Sequence, residues 1–245
     1  MSTSYLALDH DAQKSIFEPL FLLHANAVYL VMEGTYIGAL QQFREVTQAL
    51  QTMNFDAEED VPKEESNRRA SRDENILRVF SVDVENVPQV FSTDGSRLAP
   101  PFAVLIPQDH YEDLSVDDCT LFAMTALYNI GLCYQIMSHT GGRTYRKRAQ
   151  SIYEVVFQLL NSMKVVNAAH DDSSVKLSVV ALGVMICNNM AALHADLGDR
   201  DSLSDCLSVL EQYLFQIDVS TMDCMWVHYN LFDWLSFQSR HAAVA

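Results

Sequence analysis

The stretch NRRAS, which ends at Ser71, indicates a serine that a protein kinase could phosphorylate. Arg68 and Arg69 stand before it in the Arg-Arg-x-Ser order that basophilic protein kinases recognise. A phosphate there would add a charge of about −1.5 to −2. Residues 54–75 are charged, contain Pro62 and lack hydrophobic periodicity, so we predict a disordered linker with Ser71 as a candidate phosphorylation site. The alternative is an unmodified linker, because such patterns recur by chance.

Histidine and cysteine, which serve as metal ligands and nucleophiles, are scattered along the chain. The histidines show no metal-binding spacing, and His110 lies in a predicted loop although Glu112 and Asp113 are near it. Cys133 and Cys187 fall on apolar helical faces, where packing is the simpler role. The chain also lacks a Walker motif, GxGxxG and GxSxG, so we expect no enzyme, metal or cofactor. An enzyme whose site is assembled from distant residues is the alternative.

The charge of the chain restricts its partners. It carries 32 acidic and 16 basic residues, a formal net charge of −16. Nucleic acids and anionic membranes require a basic face, so we expect neither as a partner. A basic or apolar protein partner suits this charge better. The one dense basic cluster, RTYRKR at 143–148, either begins a helix in solvent or pairs with acidic surface on this chain or another copy.

Cysteine usage and the chain start indicate the compartment. Five cysteines without a CxxC pair do not form the pattern of a secreted disulfide framework. The start, MSTSYLALDHDAQKS, lacks the positive region and apolar core of a signal peptide. No uninterrupted apolar run approaches the roughly 20 residues of a membrane span. We therefore predict a cytoplasmic or nuclear protein without a transmembrane segment.

Hydrophobic periodicity predicts that most of the chain is helical. Residues 16–53 indicate two helices separated at Gly34, and further helices are expected over 116–138, 145–165, 174–197, 200–216 and 221–239. Residues 76–107 alternate like strands around a turn signal at Asp94-Gly95. We expect one all-α domain over 1–245, in which 76–107 form an extended or β-hairpin insertion.

The helices share a repeated pattern of large, small and aromatic residues. In the region 126–160 it is carried by Leu127, Ile130, Gly131, Tyr134, Ala149, Tyr153 and Val156. It recurs in LLHANAVYLVMEGTYIGALQQFREVTQAL and, more loosely, in CNNMAALHADLGDRDSLSDCLSVL. The pattern resembles the tetratricopeptide repeat (TPR), in which small residues let two helices of a hairpin cross closely and aromatics fill the spaces between them.

The resemblance implies a short right-handed α-solenoid of antiparallel helix hairpins, with the 76–107 insertion between the first and second repeats. The helix within 221–239 would cap the array. Two departures are an insertion in the second hairpin and Leu203 at a position where the family has a small residue. A generic α-helical bundle is the alternative fold.

The resemblance also implies a binding groove. TPR proteins bind extended peptides along their first helices, where an asparagine just before the Leu-Gly pair touches the peptide backbone. Asn129, Asn189 and Asn230 match that position, and Asn26 lies one residue out of register. The nearby groove-facing residues would be Tyr128, Leu132, Asn188, Trp226 and Tyr229. The alternative is that these asparagines satisfy polar groups of a neighbouring helix.

Two functions follow from this groove. The first is a protein–protein interaction scaffold that binds an apolar or basic peptide, or a partner protein, in the TPR-like groove. The second is a structural subunit of a larger assembly, in which no peptide groove is used and residues 76–107 fill the groove or dock on a neighbour. The location of residues 76–107 distinguishes them, because a groove filled by this segment cannot capture another peptide.

Overall fold

The protein is predominantly helical. The computed structural model describes residues 10–53, 78–81, 98–99, 101–105, 114–167 and 173–215. The elements in chain order are α1 (His10–Met32), α2 (Tyr36–Thr52), β1 (Arg78–Ser81), β2 (Phe102–Leu105), α3 (Val116–Gly141), α4 (Arg143–Asn167), α5 (Ser173–Leu197) and α6 (Arg200–Leu214). The predicted all-α class is therefore confirmed within these residues, because the two strands have only four residues each.

Two kinds of helix alternate along the chain. The helices α2, α4 and α6 bury one stripe of side chains at helical spacing, such as Ala39, Phe43, Val46 and Leu50 in α2. In contrast, α3 buries most of its surface, and so does the described part of α5. A helix that is covered on most sides must be apolar nearly all round, and this explains the weak amphipathic pattern of α3 and α5.

Helices pack mainly against their neighbours in the chain. The pairs α1/α2, α3/α4 and α5/α6 are joined by short turns, and α2 also packs against α3 as α4 does against α5. Each pair has a glycine of positive φ in its turn, at Gly34, Gly142 and Gly198, with φ of 74°, 75° and 69°. Glycine adopts this left-handed conformation without steric cost, so each helix can end sharply before the next begins.

A small sheet lies against the first helices of the pairs. Strand β1 pairs antiparallel with β2, from Arg78 opposite Leu105 to Ser81 opposite Phe102. Strand β2 lies against α1 and α3, while β1 approaches α5. These strands are what the structure describes of the expected insertion at 76–107, apart from residues 98, 99 and 101. The linker 54–75 with Ser71, the turn at Asp94-Gly95 and the helix predicted over 221–239 lie outside the described residues.

The expectation that no segment could span a membrane is wrong. Within the described ranges, three helical segments are long and apolar enough to do so, namely Lys14–Met32, Val116–Gly141 and Val179–Leu197. Uninterrupted apolar runs are too strict a criterion, because a few polar or charged residues, such as Glu18 in the first segment, interrupt these segments without making them too polar for a bilayer. Within the protein, 78% and 83% of the second and third segments are buried, but only 33% of the first. The prediction of a cytoplasmic or nuclear location depended on this expectation and is therefore withdrawn.

Close approach of α4 to α3 depends on Gly131. A Cβ atom at this position would lie 2.6 Å from Cε1 and 2.9 Å from Cδ1 of Tyr153. The sequence indicated this small residue at the helix contact. It did not indicate Gly183 of α5, where a Cβ would lie 2.5 Å from Cε1 of Tyr213 in α6. In both pairs the second helix places an aromatic ring directly on a glycine of the first.

We expect Gly131→Ala to destabilise the protein, because Tyr153 is fully buried and its ring cannot move away from the new methyl group. Overpacking of this kind costs about 1–3 kcal/mol, which exceeds the gain of up to ~1 kcal/mol in helix propensity. Gly38→Ala is the matched control, because its Cβ would be 3.4 Å from the nearest atom, Cδ1 of Leu30. Urea unfolding should show a gain or no change for Gly38→Ala, and equal effects of both variants would contradict the close contact.

Candidate functional site

An extended piece of the chain is buried against the first helices. We call residues 98–99 and 101–105 the inner segment. Leu98, Ala99, Phe102 and Val104 are at most 7% exposed and belong to the hydrophobic core. An extended segment buried in this way carries backbone N–H and C=O groups that no helix of its own can satisfy. Strand β1 pairs one edge of Phe102–Leu105, and the groups that β1 does not reach need side-chain partners.

Asn129 of α3 supplies two of these partners. The Phe102 backbone N–H donates to Oδ1 of Asn129 at 2.9 Å, and Nδ2 of Asn129 donates to the Phe102 carbonyl oxygen at 2.8 Å. One fully buried side chain therefore pairs both polar backbone groups of one residue. The paired groups belong to the backbone, so these bonds do not depend on which side chain residue 102 carries.

Asn189 of α5 supplies the next partner along the segment. The Ala99 backbone N–H donates to its Oδ1 at 2.8 Å, and Nδ2 of Asn188 donates to the same atom at 3.1 Å. Nδ2 of Asn189 donates to the hydroxyl oxygens of Tyr128 and Tyr153, at 3.1 Å and 3.2 Å. Asn189 thus fixes both the inner segment and two aromatic side chains.

Tyr128 contacts the inner segment with its ring and its hydroxyl. The hydroxyl donates to the Ala99 carbonyl oxygen at 3.3 Å. The ring meets Phe102 edge-on, with centroids 5.2 Å apart, which is a favourable aromatic geometry. The Tyr153 hydroxyl donates to Oε1 of Gln135 at 2.9 Å, and Nε2 of Gln135 donates to the Asn189 backbone carbonyl oxygen at 3.0 Å. The network therefore connects α3, α4 and α5 around the segment.

His24 brings α1 into the same network. Its Nε2 lies 3.3 Å from Nδ2 of Asn129. Since that amide nitrogen can only donate, Nε2 must accept, and the neutral ring carries its hydrogen on Nδ1. Burial lowers the pKa of His24 from 6.5 to about 3, so the ring stays neutral under ordinary conditions. Phe43 and Phe122 enclose it edge-on.

Two tyrosines of the network and two cysteines of α3 are neutral. Burial raises the pKa of Tyr128 and Tyr153 well above the usual value for a phenol. It also raises the pKa of the Cys119 and Cys133 thiols to about 12, which makes them poor nucleophiles. Within the described ranges no group of three or more histidine, cysteine or acidic residues is placed to hold a metal. This arrangement suits recognition of backbone by neutral hydrogen bonds.

The structure brings together four of the residues that the sequence indicated for the groove: Tyr128, Asn129, Asn188 and Asn189. Leu132 is also buried, in the hydrophobic core. Trp226, Tyr229 and Asn230 lie outside the described residues. Asn26 is exposed and donates to Gln42 instead.

Sequence reasoning missed His24, Gln135 and Tyr153 as members of the network. A signal existed at His24 and Gln135, because both polar residues stand among apolar neighbours that face the core. Tyr153 had been assigned only to helix packing. The buried partner itself, the inner segment, gave no signal of its location.

The chain matches no protein-family model, no curated protein and no solved structure. The resemblance to the tetratricopeptide repeat therefore stays a prediction that rests on the residues named above.

We expect Asn129→Ala to destabilise the protein strongly, because it leaves the N–H and C=O of Phe102 buried without partners. Unpaired groups of this kind cost about 1–3 kcal/mol each, so the total for the two should be about 2–6 kcal/mol. Asn26→Ala is the matched control, since its side chain is exposed and should cost less than about 0.5 kcal/mol. Similar losses for the two variants in urea unfolding would contradict the role of Asn129.

Stability should also depend on pH through His24. In the unfolded chain His24 has a pKa of about 6.5, whereas in the folded protein its pKa is about 3. Between these values the unfolded state binds more protons, so the free energy of unfolding is highest above pH 6.5 and declines as the pH falls. Through His24, the free energy of unfolding should fall by about 2 kcal/mol between pH 7 and pH 5. His24→Gln keeps an acceptor for Asn129 but does not titrate, so its unfolding free energy should lack this part of the decline. A decline as steep in His24→Gln as in the wild type would contradict the role of His24.

Proposed function

We propose that this protein is a structural subunit of a protein assembly, built as a divergent TPR-like α-solenoid whose own inner segment occupies the peptide groove. The observation that carries the proposal is the pair of hydrogen bonds between Asn129 and the backbone of Phe102. Asparagine at this position in TPR proteins binds the backbone of a peptide partner. Here the same kind of contact is made to the chain itself.

The order of packing supports the solenoid. Each helix pair contacts the next through its second helix, and the first helices also contact one another, α1 with α3 and α3 with α5. Repeat arrays are built in this way, with each unit contacting its neighbours. The three glycines of positive φ add a feature common to all three pairs. Right-handedness and a capping helix over 221–239 belong to the proposal as expectations from the resemblance.

Burial of the inner segment supports a groove that is closed to other peptides. Its four core side chains are removed from water, and about 25 cal/mol is gained for each Å² of apolar surface buried. A competing peptide would have to replace these contacts and the bonds to Asn129 and Asn189. It would also compete with a segment of the same chain. Segments tethered by short linkers have effective concentrations of roughly millimolar. Partner proteins are therefore expected on other faces.

Exposed apolar side chains on the first helix pair support contact with another protein. Leu22, Tyr29 and Ile37 are 66%, 55% and 75% exposed. Leu22 and Tyr29 stand seven residues apart in α1, so they project from the same side of the helix. Large apolar side chains on one exposed side are typical of interaction surfaces.

A second candidate function is the interaction scaffold with an autoinhibited groove. It is favoured by one observation: Asn129 and Asn189 bind backbone atoms of the inner segment. An extended peptide of different sequence offers the same backbone atoms and could make the same bonds. In this case the inner segment would leave the groove when a partner peptide arrives.

Native-state hydrogen exchange separates the two candidates. For a structural subunit, we expect the amides of Ala99 and Phe102 to exchange only with global unfolding, as the core amide of Leu132 should. The opening free energies of the three amides should then agree within about 1 kcal/mol. For an autoinhibited scaffold, Ala99 and Phe102 would exchange through a local opening of much lower free energy while Leu132 stays protected. That result would overturn the structural-subunit proposal.

A further inference from the structure

A cleft between α2, α3 and α4 gathers positive charge in an acidic protein. It has a volume of about 680 Å³, and its basic lining residues are Arg44, Arg143, Lys147 and Arg148. These are four of the 16 basic residues in the chain. The cleft shares no lining residue with the partners of the inner segment, so it is independent of how the groove is used.

Among the described residues that line this cleft, none is acidic. Within the part of the chain that the structure describes, the four basic side chains also form no ion pair. Concentrated like charges repel one another, and this repulsion disfavours the folded state unless anions neutralise it. Acidic residues outnumber basic ones by 32 to 16 in this chain, so a cleft lined by four basic side chains departs from the overall composition.

Aromatic stacking orients two of the arginines. The guanidinium carbons of Arg44 and Arg148 lie 5.8 Å and 5.6 Å from the centroid of the Tyr134 ring. Arg44 also donates to the Tyr134 hydroxyl. Tyr145 stacks on Tyr134 and lies 6.0 Å from the Arg148 guanidinium carbon. Stacked guanidinium groups lose less freedom when they bind a carboxylate or phosphate, and most of their five N–H donors stay available.

The remaining lining residues indicate what accompanies the anion. Thr144 and Ser151 provide hydroxyl donors, while Leu127, Ile130 and Ile152 provide apolar surface. Helix α4 begins at Arg143, so its N-terminus adds partial positive charge at the same place. A ligand with both negative charges and apolar side chains would use all of these features.

We propose that this cleft binds an acidic peptide segment of a partner protein, with carboxylate or phosphate groups on the four cations and apolar side chains on the residues between them. A peptide is favoured over an anionic membrane because the positive charge lies in a cleft, which an extended chain can enter and the flat surface of a bilayer cannot. The proposal gives the basic cluster at 143–148 a role that the groove does not.

Fluorescence anisotropy with the full chain tests this site. The probe is a labelled peptide of glutamate and leucine, and its counterpart has glutamine in place of every glutamate. We expect the glutamate peptide to bind at least ~10-fold more tightly, with an affinity that falls as salt rises. Lys147→Gln and Arg143→Gln, both at exposed positions where folding should tolerate them, should each weaken binding by ~5- to 10-fold.

Arg200→Gln is the matched control. This arginine is exposed at the start of α6, outside the cleft, and the substitution changes the net charge by the same amount. Its effect should stay within ~2-fold, because Arg200 does not line the cleft and the attraction between exposed, non-contacting charges is screened by salt. Equal weakening by all three variants would mean general electrostatic attraction and would overturn the proposal. Absence of binding, or tighter binding to phosphatidylserine vesicles than to the peptide, would also overturn it.

Discussion

The described structure depends on one constraint: an extended backbone is buried inside a helical protein, and its polar groups must be paired. Helices satisfy their own N–H and C=O groups, whereas the inner segment needs β1 along one edge and side chains for the groups that β1 does not reach. Asn129 and Asn189 meet this need with buried amide side chains, because an amide offers a donor and an acceptor that remain neutral. A charged side chain in their place would incur a much larger desolvation cost.

The same constraint connects helix pairs that would otherwise meet only their neighbours. Through His24, Asn129, Tyr153 and Asn189, the hydrogen-bond network joins α1, α3, α4 and α5 around the inner segment. In a repeat array whose units contact only adjacent units, such a central contact adds cooperativity. The segment therefore acts as an internal ligand, and its removal should affect several helices at once. This is the physical basis for proposing a structural subunit.

The two binding faces differ in chemistry. The first helices present neutral amides, phenols and apolar rings, and they are covered by the chain's own segment. The cleft between α2, α3 and α4 presents guanidinium and ammonium groups. In the functions proposed above, the protein therefore combines a face that pairs the backbone of its own segment with a cleft for a negatively charged partner. Partner specificity would then come from charge rather than from peptide backbone.

Local patterns in the sequence determined the helical class, the breaks at the turn glycines and the small residue at Gly131, because each depends on residues close in the chain. They also indicated Tyr128, Asn129 and Asn189 as polar or aromatic positions of interest. Only the tertiary structure decided what these residues bind, since Phe102 lies 27 residues from Asn129 and Ala99 lies 90 from Asn189. Such long-range pairing leaves no periodic signal. The gathering of Arg44 with Arg148 around Tyr134, and the burial of helices apolar enough for a membrane, were likewise decided by packing.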